Sequence, residues 1–156
     1  IRGLRMLAER GLVYDVLARP RNLSRVPELA DRVPDLRMVI DHIAKPLIKG
    51  GTLEPWATDI AAVAAIPGVH CKISGMVTEA DHDVWTVADL KPYVAHIVDS
   101  FGYDRLMFGS DWPVCLLAST YDRGFAAALE TVAPPTPTDR AVFLGGNAIR
   151  FYRLDV

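Results

Sequence analysis

The chain has 156 residues, of which 51% are hydrophobic: enough to bury a core, and a length that suggests one domain. Its 17 basic and 19 acidic residues leave a formal net charge of −2, with no basic tract, acidic tail or aromatic-basic interleaving, so nucleic acid is not an expected partner. No apolar run approaches the ~20 residues that span a bilayer, and no apolar leader stands behind Ile1-Arg2-Gly3-Leu4. Cys71 and Cys115 belong to no C-x-x-C motif, which fits a reducing compartment and leads to an expected cytoplasmic location.

The chain opens without Met, inside what reads as a helix with Leu4, Leu7 and Ala8 on one face and Gly11 as its stop. A piece of a longer protein is the expectation. Residues 12–17 form a β-rich run that Asp15 interrupts, and a carboxylate there needs a partner or a polar cavity. Residues 24–33 read as a helix, with Ser24 as cap and Val26, Leu29, Ala30 and Val33 on one face. A second strand, 37–40, runs into Asp41 and His42. Pro55 starts a helix carrying Trp56, Ile60, Val63 and Ala64. Residues 69–74 make a third strand, and the polar segment 76–85 reads as a solvated lid carrying Glu79, Asp81, His82 and Asp83. The next helix, capped by Thr86 or Asp89, shows Leu90, Tyr93, Val94, Ile97, Val98 and Phe101 on one side. A fourth strand ends in Gly109-Ser110-Asp111. A helix over 120–132, a rigid Pro-rich link, a short helix capped by Thr138 and ending at Gly145-Gly146, and a last piece capped by Asn147 complete the chain.

Strands alternating with helices imply an α/β fold with a parallel sheet. No phosphate-binding glycine motif follows any strand, so a nucleotide site is disfavoured. The remaining common solution is a (β/α)8 TIM barrel. A whole one takes ~250 residues, so 156 residues have room for about half of one.

In a barrel, functional groups gather at the C-terminal ends of the strands. The first strand offers Asp15 and Arg19, the second His42, the third Lys72 and Ser74, and the fourth Asp111 with Trp112 behind it. Each residue also has a plainer reading. Asp111 could only cap a turn. Lys72 could be the structural partner of Asp15, and Arg19 a surface residue before Pro20. His42 could be a core histidine. His70 reads as structural and His96 as solvated, and His82 sits in the long loop. Convergence of His42, Lys72, Asp111 and Arg19 on one rim favours the functional reading of Asp111.

Four stretches carry a resemblance: Val39-Ile40-Asp41-His42-Ile43-Ala44-Lys45-Pro46, Cys71-Lys72-Ile73-Ser74-Gly75, Phe108-Gly109-Ser110-Asp111-Trp112-Pro113 and Gly146-Asn147-Ala148-Ile149-Arg150-Phe151-Tyr152. In this order they resemble the amidohydrolase-related family of TIM-barrel hydrolases, and most of all its sugar-lactonase and pyrone-dicarboxylate-lactonase branch. The resemblance implies a lactone or other cyclic-ester substrate, with Asp111 as general base and His42 as metal ligand or hydrogen-bond donor. It implies a metal pair of His42 and Asp111 for a divalent ion, zinc first, or a reaction without metal. Lys72, Arg19, Asp15 and Trp112 would contact the substrate. The His-x-His of the family's first strand is absent, as is an evident sixth-strand His, so the resemblance implies that residues 1–156 are the C-terminal part of a single barrel domain, with the N-terminal strands missing. The competing expectation is a non-catalytic half-barrel that is inactive or needs a complementary chain. A homo-oligomer is possible on either reading.

Overall fold

A computed structural model describes residues 1–156. Four strands, β1 (Val13–Val16), β2 (Arg37–Ile40), β3 (His70–Ile73) and β4 (Leu106–Phe108), form one sheet in sequence order, every neighbouring pair parallel. Helices α1 (Arg2–Glu9), α2 (Pro20–Leu23), α3 (Val26–Arg32), α4 (Trp56–Ala64), α5 (Val87–Phe101), α6 (Tyr121–Val132), α7 (Pro137–Ala141) and α8 (Asn147–Tyr152) precede, separate and follow the strands. This is the α/β arrangement that the alternation of strands and helices predicts. The outer edges of β1 and β4 have no strand partner within the chain. No helix is long and apolar enough to cross a membrane.

The strand pleat divides the core in two. Val16, Met38, Ile40, Cys71, Ile73 and Leu106 face the layer made by α3 to α6, where Ile60, Val63, Leu90 and Ile97 are fully buried. Each such aliphatic contributes roughly 1.5–3 kcal/mol by leaving water. Val39 and Met107 point the other way, onto Phe151 of α8, with Val13, Ala148 and Tyr152 around them. Asp15 stands beside buried Val16 on β1, and Lys72 stands between buried Cys71 and Ile73 on β3. The last helix is tied down from β2, whose Arg37 guanidinium donates to the carbonyls of Phe151 and Gly11, each at 2.6 Å.

Expectations near the C-terminus need correction. Thr136, not Thr138, caps α7: its hydroxyl accepts from the Asp139 amide at 3.1 Å, and Pro137 takes the first helical position, where its missing N–H costs nothing. Gly145-Gly146 does not stop a helix. Residues Val142–Gly146 form a π-helical turn running into α8. Asn147 is fully buried and donates to the carbonyls of Tyr103 and Leu106, at 2.7 and 2.6 Å, so it ties α8 to the start of β4.

The segment 76–85 is not a solvated lid either. Met76, Val77, Ala80 and Trp85 are buried, and they pull the loop down between the polar positions. The Trp85 indole donates to the Ala118 carbonyl at 2.7 Å, and Arg123 stacks on its ring while donating to its carbonyl.

Candidate functional site

The C-terminal strand ends converge as the barrel argument requires. β2 turns at its exit into an uncommon backbone: His42, Ile43, Ala44 and Lys45 all have positive φ, between 46° and 59°. For non-glycine residues this left-handed geometry costs about 1–2 kcal/mol each. The surroundings enforce it. Ile43 and Ala44 are fully buried, the Lys45 amide donates to the His42 carbonyl at 2.8 Å, and the Trp56 indole donates to the Ile43 carbonyl at 2.8 Å. Past β4, Asp111 is also left-handed, with φ 56°. Two strained residues facing each other across strand exits are what a functional site tends to hold.

The His42 imidazole is fixed on two sides. Its Nδ1 lies 2.8 Å from the Ser74 hydroxyl at the exit of β3, and Nε2 lies 3.6 Å from Asp111 Oδ1. Ser74 itself is buried. Asp111 Oδ2 is buried and has no hydrogen-bond partner. Burial is the main influence on His42 and lowers its pKa; the carboxylates of Asp111 and Asp41 oppose the shift, while Lys45 and Lys72 add to it. The ring is therefore neutral at pH 7, and following its Cε1–H resonance by NMR gives a midpoint below the ordinary 6.5. The unfolded chain takes up a proton before the folded one does. Stability from this group is whole above about pH 6.5 and falls as pH drops through the lowered value.

Gly75 is part of the same fit. Its φ is +61°, and a Cβ there would lie 2.9 Å from Cβ, Cγ and Nδ1 of His42. Gly75→Ala therefore both strains the backbone and pushes the imidazole. It is expected to cost about 1–2 kcal/mol in urea denaturation and to move the His42 resonances.

Two charge clusters flank this pair. In the first, Lys72 Nζ sits 2.6 Å from Asp15 Oδ2 and 2.8 Å from Asp41 Oδ1, and the Tyr152 hydroxyl lies 3.0 Å from both Asp15 oxygens. The sequence left Lys72 and Asp15 open between substrate contact and mutual pairing, and the structure pairs them. In the second, Lys45 Nζ lies 2.7 Å from Glu79 Oε1, both mostly buried, while Arg19 stands 3.9 Å from Glu79 Oε2 with its side chain 55% exposed. Trp112 is 65% exposed beside Asp111.

His70 is engaged locally, 2.9 Å from the Gly68 carbonyl and against the Phe151 ring. His82 lies 3.0 Å from the Thr78 carbonyl. His96 is not solvated: its Nε2 lies 2.8 Å from the Ala57 carbonyl and its ring packs on Trp56, because it lies on the α5 flank that meets α4. Ser74, which the third strand offered, joins the site, and so do Glu79 and Lys45, which were not singled out as site residues. Lys45 follows His42 by three residues in the same motif, which was the available signal. Glu79 carried none, since an acid in a polar loop reads as solvated.

Comparison with known proteins agrees with this architecture. The family model described as Amidohydrolase matches residues 2–154. An L-fucono-1,5-lactonase from Burkholderia ambifaria is 44% identical over 148 residues, covering 92% of this chain and 51% of that protein. An L-fucono-1,5-lactonase from Burkholderia multivorans is 38% identical over 167 residues, covering 98% and 55%. Among solved structures, an amidohydrolase from Burkholderia multivorans with bound zinc superposes with a TM-score of 0.91 at 38% identity, covering 99% of this chain and 57% of that one. The chain thus spans about half the length of the curated relatives it matches.

Proposed function

The chain belongs to the amidohydrolase family, and from that premise we propose that its site opens a sugar lactone by attack of a water that Asp111 activates. The observation that carries this reading is the facing of His42 and Asp111 across the exits of β2 and β4, with one Asp111 oxygen buried and unpartnered. A carboxylate so placed can take a proton from water as the oxygen attacks the lactone carbonyl. The ring C–O bond then breaks, and the same proton passes to the leaving ring oxygen, giving a hydroxy acid.

Ser74 sets the tautomer of His42. As donor to Nδ1 it leaves a proton on Nε2 for the carbonyl oxygen; as acceptor it leaves an Nε2 lone pair for a metal. His42 Nε2 and Asp111 are the donors this chain offers a divalent ion, zinc foremost, which would polarise the carbonyl. Catalytic zinc sites commonly use about three protein ligands, and no group of three His, Cys, Asp or Glu side chains is gathered here. The rim residues suit a polyhydroxy ring: Arg19, Lys45 and Glu79 offer donors and acceptors to hydroxyls, and the Trp112 indole offers an apolar face. Both thiols are free and buried, which supports a reducing compartment.

The test is hydrolysis of L-fucono-1,5-lactone and other sugar lactones, followed by proton release. The chain is assayed alone and mixed with the half of the Burkholderia ambifaria lactonase that it does not match, each with zinc and with chelator. Turnover above the spontaneous rate in either form supports the reading. No turnover in both, with folded protein, overturns it.

A further inference from the structure

The left-handed turn that aims His42 takes a side-chain hydrogen bond on its backbone from a residue outside the motif. Trp56, in the first turn of α4, is 1% exposed and donates its indole N–H to the Ile43 carbonyl at 2.8 Å. Four consecutive non-glycine residues with positive φ form a segment that relaxes unless something holds it. The apolar burial of Ile43 and Ala44 fixes its depth, but burial has no direction. A hydrogen bond does, and this one meets the carbonyl next to His42. The indole is in turn set by its neighbours, with its ring centroid 5.5 Å from that of Tyr93 and 5.6 Å from that of His96.

We propose that Trp56 is a positioning residue for His42: its indole N–H holds the left-handed turn of residues 42–45 and so keeps the imidazole against Ser74 and Asp111. No ring atom of Trp56 needs to reach a substrate. The kinetic part rests on the hydrolase reading, and the structural part does not.

Trp56→Phe removes the N–H and keeps an aromatic ring in the core. The expected result is a shift of the His42 imidazole resonances away from their wild-type positions. In the form that turns over, kcat falls about 10–100-fold from misplacement, with KM little changed. Ala44 has φ 59°, which glycine adopts without penalty, so adding Ala44→Gly lowers the cost of the turn at the same place. The double variant is expected to return the His42 resonances, and kcat, most of the way to wild type. A merely structural role for Trp56 would not respond to glycine at position 44. A single variant that does not fold beside a double variant that does supports the proposal in the same way. Unmoved His42 resonances in Trp56→Phe overturn it, as does a double variant that restores nothing or does not fold. If wild-type protein lacks lactonase activity, the resonances alone decide, so failure of the hydrolase reading and failure of this proposal remain distinguishable.

Discussion

Asp111→Asn is expected to lower kcat by about 10²–10⁴-fold, the usual loss when a positioned general base is removed, with KM nearly unchanged. The amide is close to isosteric with the carboxylate. Asparagine also tolerates the left-handed backbone that Asp111 adopts at φ 56°, so the exit of β4 should keep its shape. Lost is the ability to accept a proton from water. An unchanged KM would mean that the interaction matters only as the reaction proceeds. The measurement is a steady-state comparison in the form that turns over lactone, with thermal unfolding as a check that the fold is intact. Wild-type turnover in the variant would sink the mechanism, leaving Asp111 as the turn cap that the sequence also allowed.

That alternative shows how far the sequence could be read. Alternation of short β-rich runs with segments of helical period, bounded by Gly102, Gly68 and Pro34, was sufficient for four parallel strands and the main helices. The pairing of His42 with Asp111 followed from both lying just past strand ends. What could not be read depended on contacts between distant residues. Asn147 stands in a helix-start pattern, yet its amide bridges carbonyls more than forty residues away. His96 reads as part of the polar side of α5, and the docking of α4 half-buries its ring. The left-handed turn at 42–45 contains no glycine, the usual sign of such a backbone. Its cause lies partly in Trp56, which period alone marks as a core residue.

Lys72→Met is the second large effect, and it tests whether a charge on the sheet acts in folding or in binding. Lys72 Nζ stands between Asp15 and Asp41, at 2.6 and 2.8 Å, with Tyr152 completing the shell around Asp15. Burial disfavours its charge, but its hydrogen bonds to Asp15, Asp41 and Tyr152 outweigh burial and raise its pKa above the ordinary 10.5. Methionine keeps most of the side-chain stem and removes the ammonium, leaving two carboxylates facing each other without a cation. The three side chains are between 18% and 38% exposed. The expected loss therefore lies between that of a solvated pair and that of a fully buried one, at about 2 kcal/mol by urea denaturation at pH 7. The sign with pH follows from the raised value: the folded chain holds the proton longer than the unfolded one, so the contribution is whole below about pH 10.5 and is lost as pH rises through the folded pKa. Wild type and variant should thus differ by a constant amount between pH 7 and 9 and converge only in strong alkali. Adding Asp41→Asn should recover part of the loss, because one of the two unpaired charges is then gone. A loss below ~0.5 kcal/mol would place Lys72 among solvated surface pairs, and its ammonium would then be available to a substrate oxygen.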